Sequence, residues 1–256
     1  MRQLVSKETR TIELRVKRYR PETGSFTEST YEIQADRFST VLDGLLSVKE
    51  RQDNTLAMRY SCNMGLCGSC GMVINGKPRL ACETNLFSLG SDRITVGPME
   101  AHPLVRDLVT DFDDFFEKHR SVLPWLIRRD TEEKFRAEKE YPQTASQVDY
   151  FRDFAGCISC GLCVDACPVN NTNTEFVGPQ ALAQAYRYNS DSRDEGEMLR
   201  LDKLDDMEGV WGCEYAGACS LVCPKGVDPA LTIQLTKLAL MRYRLTGKTN
   251  PDKRAK

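Results

Sequence analysis

The chain has 256 residues and carries 35 Lys and Arg against 37 Asp and Glu, a formal net charge of −2. No overall field marks it for nucleic acid, no run approaches the ~18 apolar residues of a membrane span, and the length allows two modest domains. The opening MRQLVSKETRTIELRV has neither the apolar region of a secretory signal nor the Arg/Ser-rich, acid-poor character of a transit peptide, so the eleven cysteines point to metal binding in a reducing compartment rather than to disulfides, in a soluble or peripheral protein.

Residues 11–18, TIELRVKR, alternate apolar and polar as a half-buried strand does. STYEIQA reads as a second strand after the turn-prone PETGSF. In TVLDGLLSVKERQD, residues 40–53, Val41, Leu42, Leu45, Leu46 and Val48 share one helix face. GMVINGKPRLAC sets Asn75-Gly76 between two short strand-like runs, a hairpin signal, and RITVGP closes a small mixed α/β domain spanning residues 1–105. From about residue 103 the pattern turns helical: Leu104, Leu108, Phe112, Phe115 and Phe116 fall at helical spacing and read as core. Pro124 and Pro142 bracket a charged stretch expected to lie on the surface. Residues 106–256 then read as helices between cysteine loops, at about 178–189, 193–205 and 229–245. His102 and His119 fall in the helical linker and read as surface or packing residues.

The cysteines form three groups. Cys62, Cys67, Cys70 and Cys82 have the C-x4-C-x2-C…C spacing of a plant-type [2Fe–2S] centre. Gly65, Gly68 and Gly71 would let the loop turn left-handed and aim backbone N–H groups at the sulfurs. Four thiolates also suit zinc, but the spacing and the glycines favour iron. Cys157, Cys160, Cys163 and Cys167, followed by Pro168, make the bacterial-type run C-x2-C-x2-C-x3-C-P, whose fourth cysteine ligates the other cluster. A second run aligns Cys213, Cys219 and Cys223 with the first and puts Ala216 where Cys160 has its thiol. The crossover assigns Cys157, Cys160, Cys163 and Cys223 to a [4Fe–4S] centre. Cys167, Cys213 and Cys219 remain for the other cluster. Three thiolates and an alanine imply a [3Fe–4S] centre, with an open-iron cube acting as a Lewis acid as the alternative. The missing ligand would make this centre the easily reduced end of a wire. Neither G-x-G-x-x-G after a strand nor a P-loop occurs, so the chain offers no substrate site of its own.

RYSCNMGLCGSCGMVINGKPRLAC, HPLVRDLVTDF, GCISCGLCVDACP, FVGPQALAQAYRYNSDSRDEG, GVWGCEYAGACSLVCPKGVDP and IQLTKLAL resemble, in that order, the iron–sulfur subunit of the succinate dehydrogenase and fumarate reductase family, respiratory complex II. The resemblance implies an α+β protein: an N-terminal β-grasp ferredoxin domain facing a flavoprotein and an all-α bacterial-ferredoxin-like domain facing a membrane anchor. It implies electron transfer between covalent FAD on the flavoprotein and quinone, by way of [2Fe–2S], [4Fe–4S] and [3Fe–4S] centres in that order. Any haem would lie on the anchor, and the subunit would sit peripherally on the cytoplasmic face of a prokaryotic membrane. Pro168 and Lys237 match quinone-pocket positions, with Gln234 one helical turn before Lys237. Ubiquinone-type members carry a tryptophan pair where this chain has Asn171 and Thr172, and RYNSDSRDEG resembles fumarate reductase chains, so a menaquinone-type quinone is preferred; the direction of reaction is not legible. Arg242, Arg244, Lys248, Lys253, Arg254 and Lys256 could meet anionic headgroups or form a solvated tail. A diffusing multi-cluster ferredoxin and an open-iron enzyme are the rival classes.

Overall fold

The structure, a computed structural model, describes residues 9–130 and 140–249. Strands β1 (Thr9–Arg20) and β2 (Ser25–Asp36) form a long antiparallel hairpin. On β1 the inward positions are Ile12, Leu14, Val16 and, in the same phase, Arg18; on β2 they are Tyr31, Ile33 and Ala35. Helix α1 (Val41–Arg51) starts at a capping box in which Thr40 and Asp43 exchange side-chain and backbone hydrogen bonds, and it buries Val41, Leu42, Leu45 and Val48. Strands β3 (Gly71–Ile74) and β4 (Lys77–Leu80) flank Asn75-Gly76, whose φ angles of +47° and +73° are those of a primed hairpin turn. Strand β5 (Arg93–Gly97) pairs parallel with β1 and antiparallel with β3, giving the sheet order β2-β1-β5-β3-β4. A five-stranded mixed sheet with one packed helix is the grasp-type arrangement that the sequence predicts.

The expected helix from residue 103 does not begin there. Residues Leu104–Arg106 and Val109–Thr110 are strands β6 and β7 of a small hairpin, and helix α2 covers only Asp113–Ser121. The cause is Asp107. It takes a left-handed φ of +48°, and its fully buried carboxylate accepts from Nε and Nη2 of Arg18 at 2.9 Å each and from the N–H of Ala57 at 2.8 Å. Its own N–H donates to Tyr19 O. A buried ion pair to a distant strand overrides a helical spacing of apolar residues. Leu108 and Phe115 are buried as expected, whereas Phe116 is exposed. His102 lies in the loop before β6, not in a helix, and stacks on Phe112 at 4.5 Å; it is buried rather than a surface residue.

The first compact unit runs to Phe112 and also includes Cys160–Asp165. A division at 105/106 would cut β6, which its pairing with β7 keeps in this unit. The second unit, from Asp113 to Ser159 and from Ala166 onward, is helical. It contains α2, α3 (Ala145–Asp149) and α4 (Arg152–Ala155). Helix α5 (Leu162–Asp165) belongs to the first unit. The second unit then continues with α6 (Pro168–Thr172), α7 (Pro179–Asn189), α8 (Glu197–Leu204), α9 (Ala218–Leu221) and α10 (Pro229–Thr246). Its core gathers Phe176, Leu182, Leu201, Leu204, Val210, Ile233 and Leu240 around Cys167. Arg200, fully buried, bonds both carboxylate oxygens of Asp194 and the carbonyls of Leu123 and Trp125, so it fixes the segment leaving α2. Most of the charged stretch between Pro124 and Pro142 lies outside the described residues, as do Lys253, Arg254 and Lys256. Arg244 pairs with Asp205 at 2.7 Å and is not an uncompensated charge for a headgroup.

Candidate iron–sulfur centres and quinone pocket

Cys62, Cys67 and Cys70 lie on an irregular loop before β3, and Cys82 follows β4. The hairpin therefore presents the fourth thiol to the loop. Gly65 and Gly68 take φ of +67° and +74°, as the sequence predicts, and the turns they permit aim amides at sulfur. The N–H groups of Leu66 and Cys67 point to Cys62 Sγ at 3.3 Å, and that of Gly65 points to Cys82 Sγ at 3.3 Å. Gly71 plays a different part from the one expected: it is the first residue of β3, and its missing side chain leaves room for Cys160 O and Leu162, which a Cβ would meet at 3.2 and 3.3 Å. Hydrogen bonds, chiefly from Ser69, lower the Cys67 thiol to about 6, whereas burial pushes the Cys70 thiol up to about 12. Thiols surrounded by N–H donors fit a thiolate-ligated [2Fe–2S] centre, whose charge those amides stabilise. Among the described residues no three His, Cys, Asp or Glu side chains converge as a single ion requires; a cluster distributes its thiolates over separate irons.

The bacterial-type run divides between the units. Cys160 and Cys163 belong to the first, whereas Cys157 and Cys167 belong to the second, as do Cys213, Cys219 and Cys223. Within the second unit, burial raises the Cys157 thiol, and the charge of nearby Cys223 raises it further, while the Ser159 N–H and the Gln180 amide act against them. A buried thiol that is hard to ionise by itself is one that a metal deprotonates on binding.

The remaining three cysteines come together. Cys167, Cys213 and Cys219 line one cavity with Pro168, Val169, Ala216 and Ile233. Its walls are the start of α6, where Pro168 is the first helical residue, and the loop before α9, turned by Tyr215 and Gly217 at φ +58° and +73°. Ala216 lines the same space as the three cysteines. Burial raises Cys219 to about 11 and also raises Cys167. The Tyr215 N–H donates to Cys213 Sγ at 3.4 Å. On α10, Gln234 Nε2 lies 4.0 Å from Cys213 Sγ and Lys237 Nζ donates to Cys213 O at 2.9 Å. All three predicted quinone residues thus border the three-cysteine cavity or its loop. Three cysteines that line one largely apolar space, with an alanine where the aligned run has its fourth cysteine, fit a three-iron centre.

Comparison with known proteins agrees with this geometry. The model of a 2Fe–2S iron–sulfur cluster binding domain matches residues 13–117, and that of a 4Fe–4S dicluster domain matches residues 153–227. The fumarate reductase iron–sulfur subunit of Mycobacterium tuberculosis is 47% identical over 95% of both chains, and that of Escherichia coli is 40% identical over 95% of this chain and 99% of its own. The chain belongs to the family of succinate dehydrogenase and fumarate reductase iron–sulfur subunits. The Mycobacterium smegmatis Sdh1 complex in the apo form contains a chain that superposes with a TM-score of 0.82 at 28% identity, covering 95% of this chain and 99% of that one. As a complex II iron–sulfur subunit, the chain is an electron-transfer component of an oxidoreductase. It carries iron–sulfur groups rather than the substrate site and works beside a flavoprotein and a membrane anchor. Among the described residues no helix is long and apolar enough to cross a membrane.

Two residue sets escaped the sequence reading. The Arg18–Asp107 pair was foreshadowed by phase alone, since Arg18 continues the inward positions of β1. Gln180, beside Cys157, gave no signal in the sequence beyond its place at the start of a helix.

Proposed function

We propose that the chain passes electrons between a flavoprotein acting on succinate or fumarate and a membrane quinone, through a [2Fe–2S] centre on Cys62, Cys67, Cys70 and Cys82, a [4Fe–4S] centre on Cys157, Cys160, Cys163 and Cys223, and a [3Fe–4S] centre on Cys167, Cys213 and Cys219. When bound, these groups supply one-electron steps between a two-electron flavin and a two-electron quinone. The observation that carries the reading is the cavity shared by Cys167, Cys213, Cys219 and Ala216, with Pro168 in its wall and Lys237 bonded to the Cys213 loop.

The protein's own residues have definable tasks there. Lys237 holds its Nζ beside the loop and can offer a hydrogen-bond donor to a quinone oxygen as negative charge grows on it. Its Nζ also lies 5.7 Å from the Trp211 ring, which limits the wandering of a long side chain. Gln234 presents an amide on the same helix face. Tyr215, in the cavity wall, and Leu221, at the end of α9, are 61% and 87% exposed, large side chains that suit contact with an anchor subunit or an isoprenoid quinone. Asn171 and Thr172 are exposed on α6. The absence of a tryptophan pair at these places supports a menaquinone-type quinone, and the reading includes a cytoplasmic-face location in a prokaryote. FAD and any haem belong to the partner subunits. The test is turnover of membranes holding the complete complex. The reading expects turnover with a naphthoquinone couple to outpace turnover with a benzoquinone couple in the same direction; the opposite ratio would overturn the quinone assignment, and turnover with neither would overturn the function.

A further inference from the structure

Helix α7 begins Pro179-Gln180, and Gln180 is only 2% exposed. Glutamine at that depth needs partners for both ends of its amide. The nitrogen has three: Nδ1 of His119 at 3.2 Å, Oγ of Ser159 at 3.4 Å and Sγ of Cys157 at 3.9 Å. The oxygen Oε1 is buried and has none among the described residues. Turning the amide over would set its carbonyl dipole against the Cys157 sulfur, which as a cluster-bound thiolate has no proton to offer. A cluster-ligating Cys157 therefore selects the amide nitrogen as its neighbour, and the carbonyl goes unsatisfied as a result. Burial holds His119 toward its neutral form, which leaves Nδ1 able to accept when the other ring nitrogen carries the proton. Ser159, at a left-handed φ of +53°, contacts both the amide and the thiol.

We propose that Gln180 is a positioning residue for the [4Fe–4S] centre, its amide donating to the Cys157 thiolate and favouring the reduced form, with His119 fixing the amide's orientation. The proposal rests on the assignment of Cys157 to that centre. On reduction one electron arrives from the flavoprotein side, no bond forms or breaks, and negative charge spreads onto the cysteine sulfurs. An N–H aimed at sulfur stabilises that charge and raises the potential. His119 reaches the sulfur only through the amide, so its effect is smaller and of the same sign.

The test is low-temperature EPR of the complete membrane complex poised at a series of potentials, comparing the unsubstituted protein with Gln180→Leu, Gln180→Glu and His119→Leu. The midpoint of the [4Fe–4S] signal is expected to fall in Gln180→Leu, to fall further in Gln180→Glu, where an acceptor replaces the donor, and to fall least in His119→Leu. The other two centres should keep their midpoints. An unshifted [4Fe–4S] midpoint in both Gln180 variants overturns the proposal. So does failure of the centre to assemble in all three, which would make Gln180 and His119 purely structural. Absence of a [4Fe–4S] signal in the unsubstituted complex would overturn the ligand assignment itself, a separate failure.

Discussion

Asp107→Ala is the sharpest probe of how the first unit is held together. Asp107 is fully buried and Arg18 is 1% exposed. The substitution removes two 2.9 Å bonds from the guanidinium and one 2.8 Å acceptor from the Ala57 N–H. Breaking a buried pair from one side costs about 3–5 kcal/mol, because the remaining charge stays desolvated. Arg18 keeps Asp53 and Thr55 as partners, which argues for the lower end, about 3 kcal/mol. With a urea dependence of about 2 kcal/mol per molar for a unit of this size, the midpoint should fall by roughly 1.5 M. The assay is anaerobic urea unfolding of the cluster-loaded protein, followed by the visible circular dichroism of the [2Fe–2S] centre. A midpoint within about 0.3 M of the unsubstituted protein would refute the reasoning. Replacing both partners, Arg18→Met with Asp107→Leu, should recover much of the loss, since no buried charge is then stranded.

Gly65→Ala forces a side chain onto a φ of +67° and sets its Cβ against the Glu83 side chain, so iron content per chain should drop by about the share of the [2Fe–2S] centre, measured by iron analysis and visible absorption. Ala216→Cys supplies the absent thiolate; the oxidised-state three-iron EPR signal should vanish and a second reduced-state cube signal should replace it. Lys237→Met loses a charged donor worth about 1.5 kcal/mol, so the quinone KM should rise about tenfold, with electron transfer from succinate to an artificial acceptor unchanged. Hydrogen bonds from Thr55 and Tyr31 hold the Asp53 carboxyl well below the usual range. Its stabilising contribution is therefore present above the unfolded value of about 3.9 and is lost as pH falls through the lower folded value. Asp53→Asn should flatten the fall in the urea midpoint between about pH 5 and pH 3.

The sequence made the cysteine chemistry legible because cluster ligation imposes spacing on the chain itself. Cys62, Cys67 and Cys70, or Cys157 through Cys167, can be read without knowing where they lie in space. The β3–β4 hairpin and helices α1, α7 and α10 were legible for a related reason: their turn and cap signals are local. Residues 104–110 were not. Their apolar spacing is helical, but Asp107 answers to Arg18, 89 positions away, and no window sees both. Gln180 was hidden in the same way, because its meaning depends on Cys157 and His119, which the fold brings to it. The part of each glycine followed this division. Gly65 and Gly68 turn the loop in which they stand, whereas Gly71 makes room for Cys160 and Leu162, about ninety positions on.

The central claim is that three thiolates and an alanine make the terminus of a three-centre wire. Stepwise reduction of the anaerobically purified complex under low-temperature EPR tests it most directly. A sharp, nearly isotropic signal in the oxidised state should disappear first, before the [2Fe–2S] and [4Fe–4S] signals grow in at lower potential. An oxidised state without that signal, followed by two cube signals on reduction, would contradict the account and make the site at Ala216 an open iron.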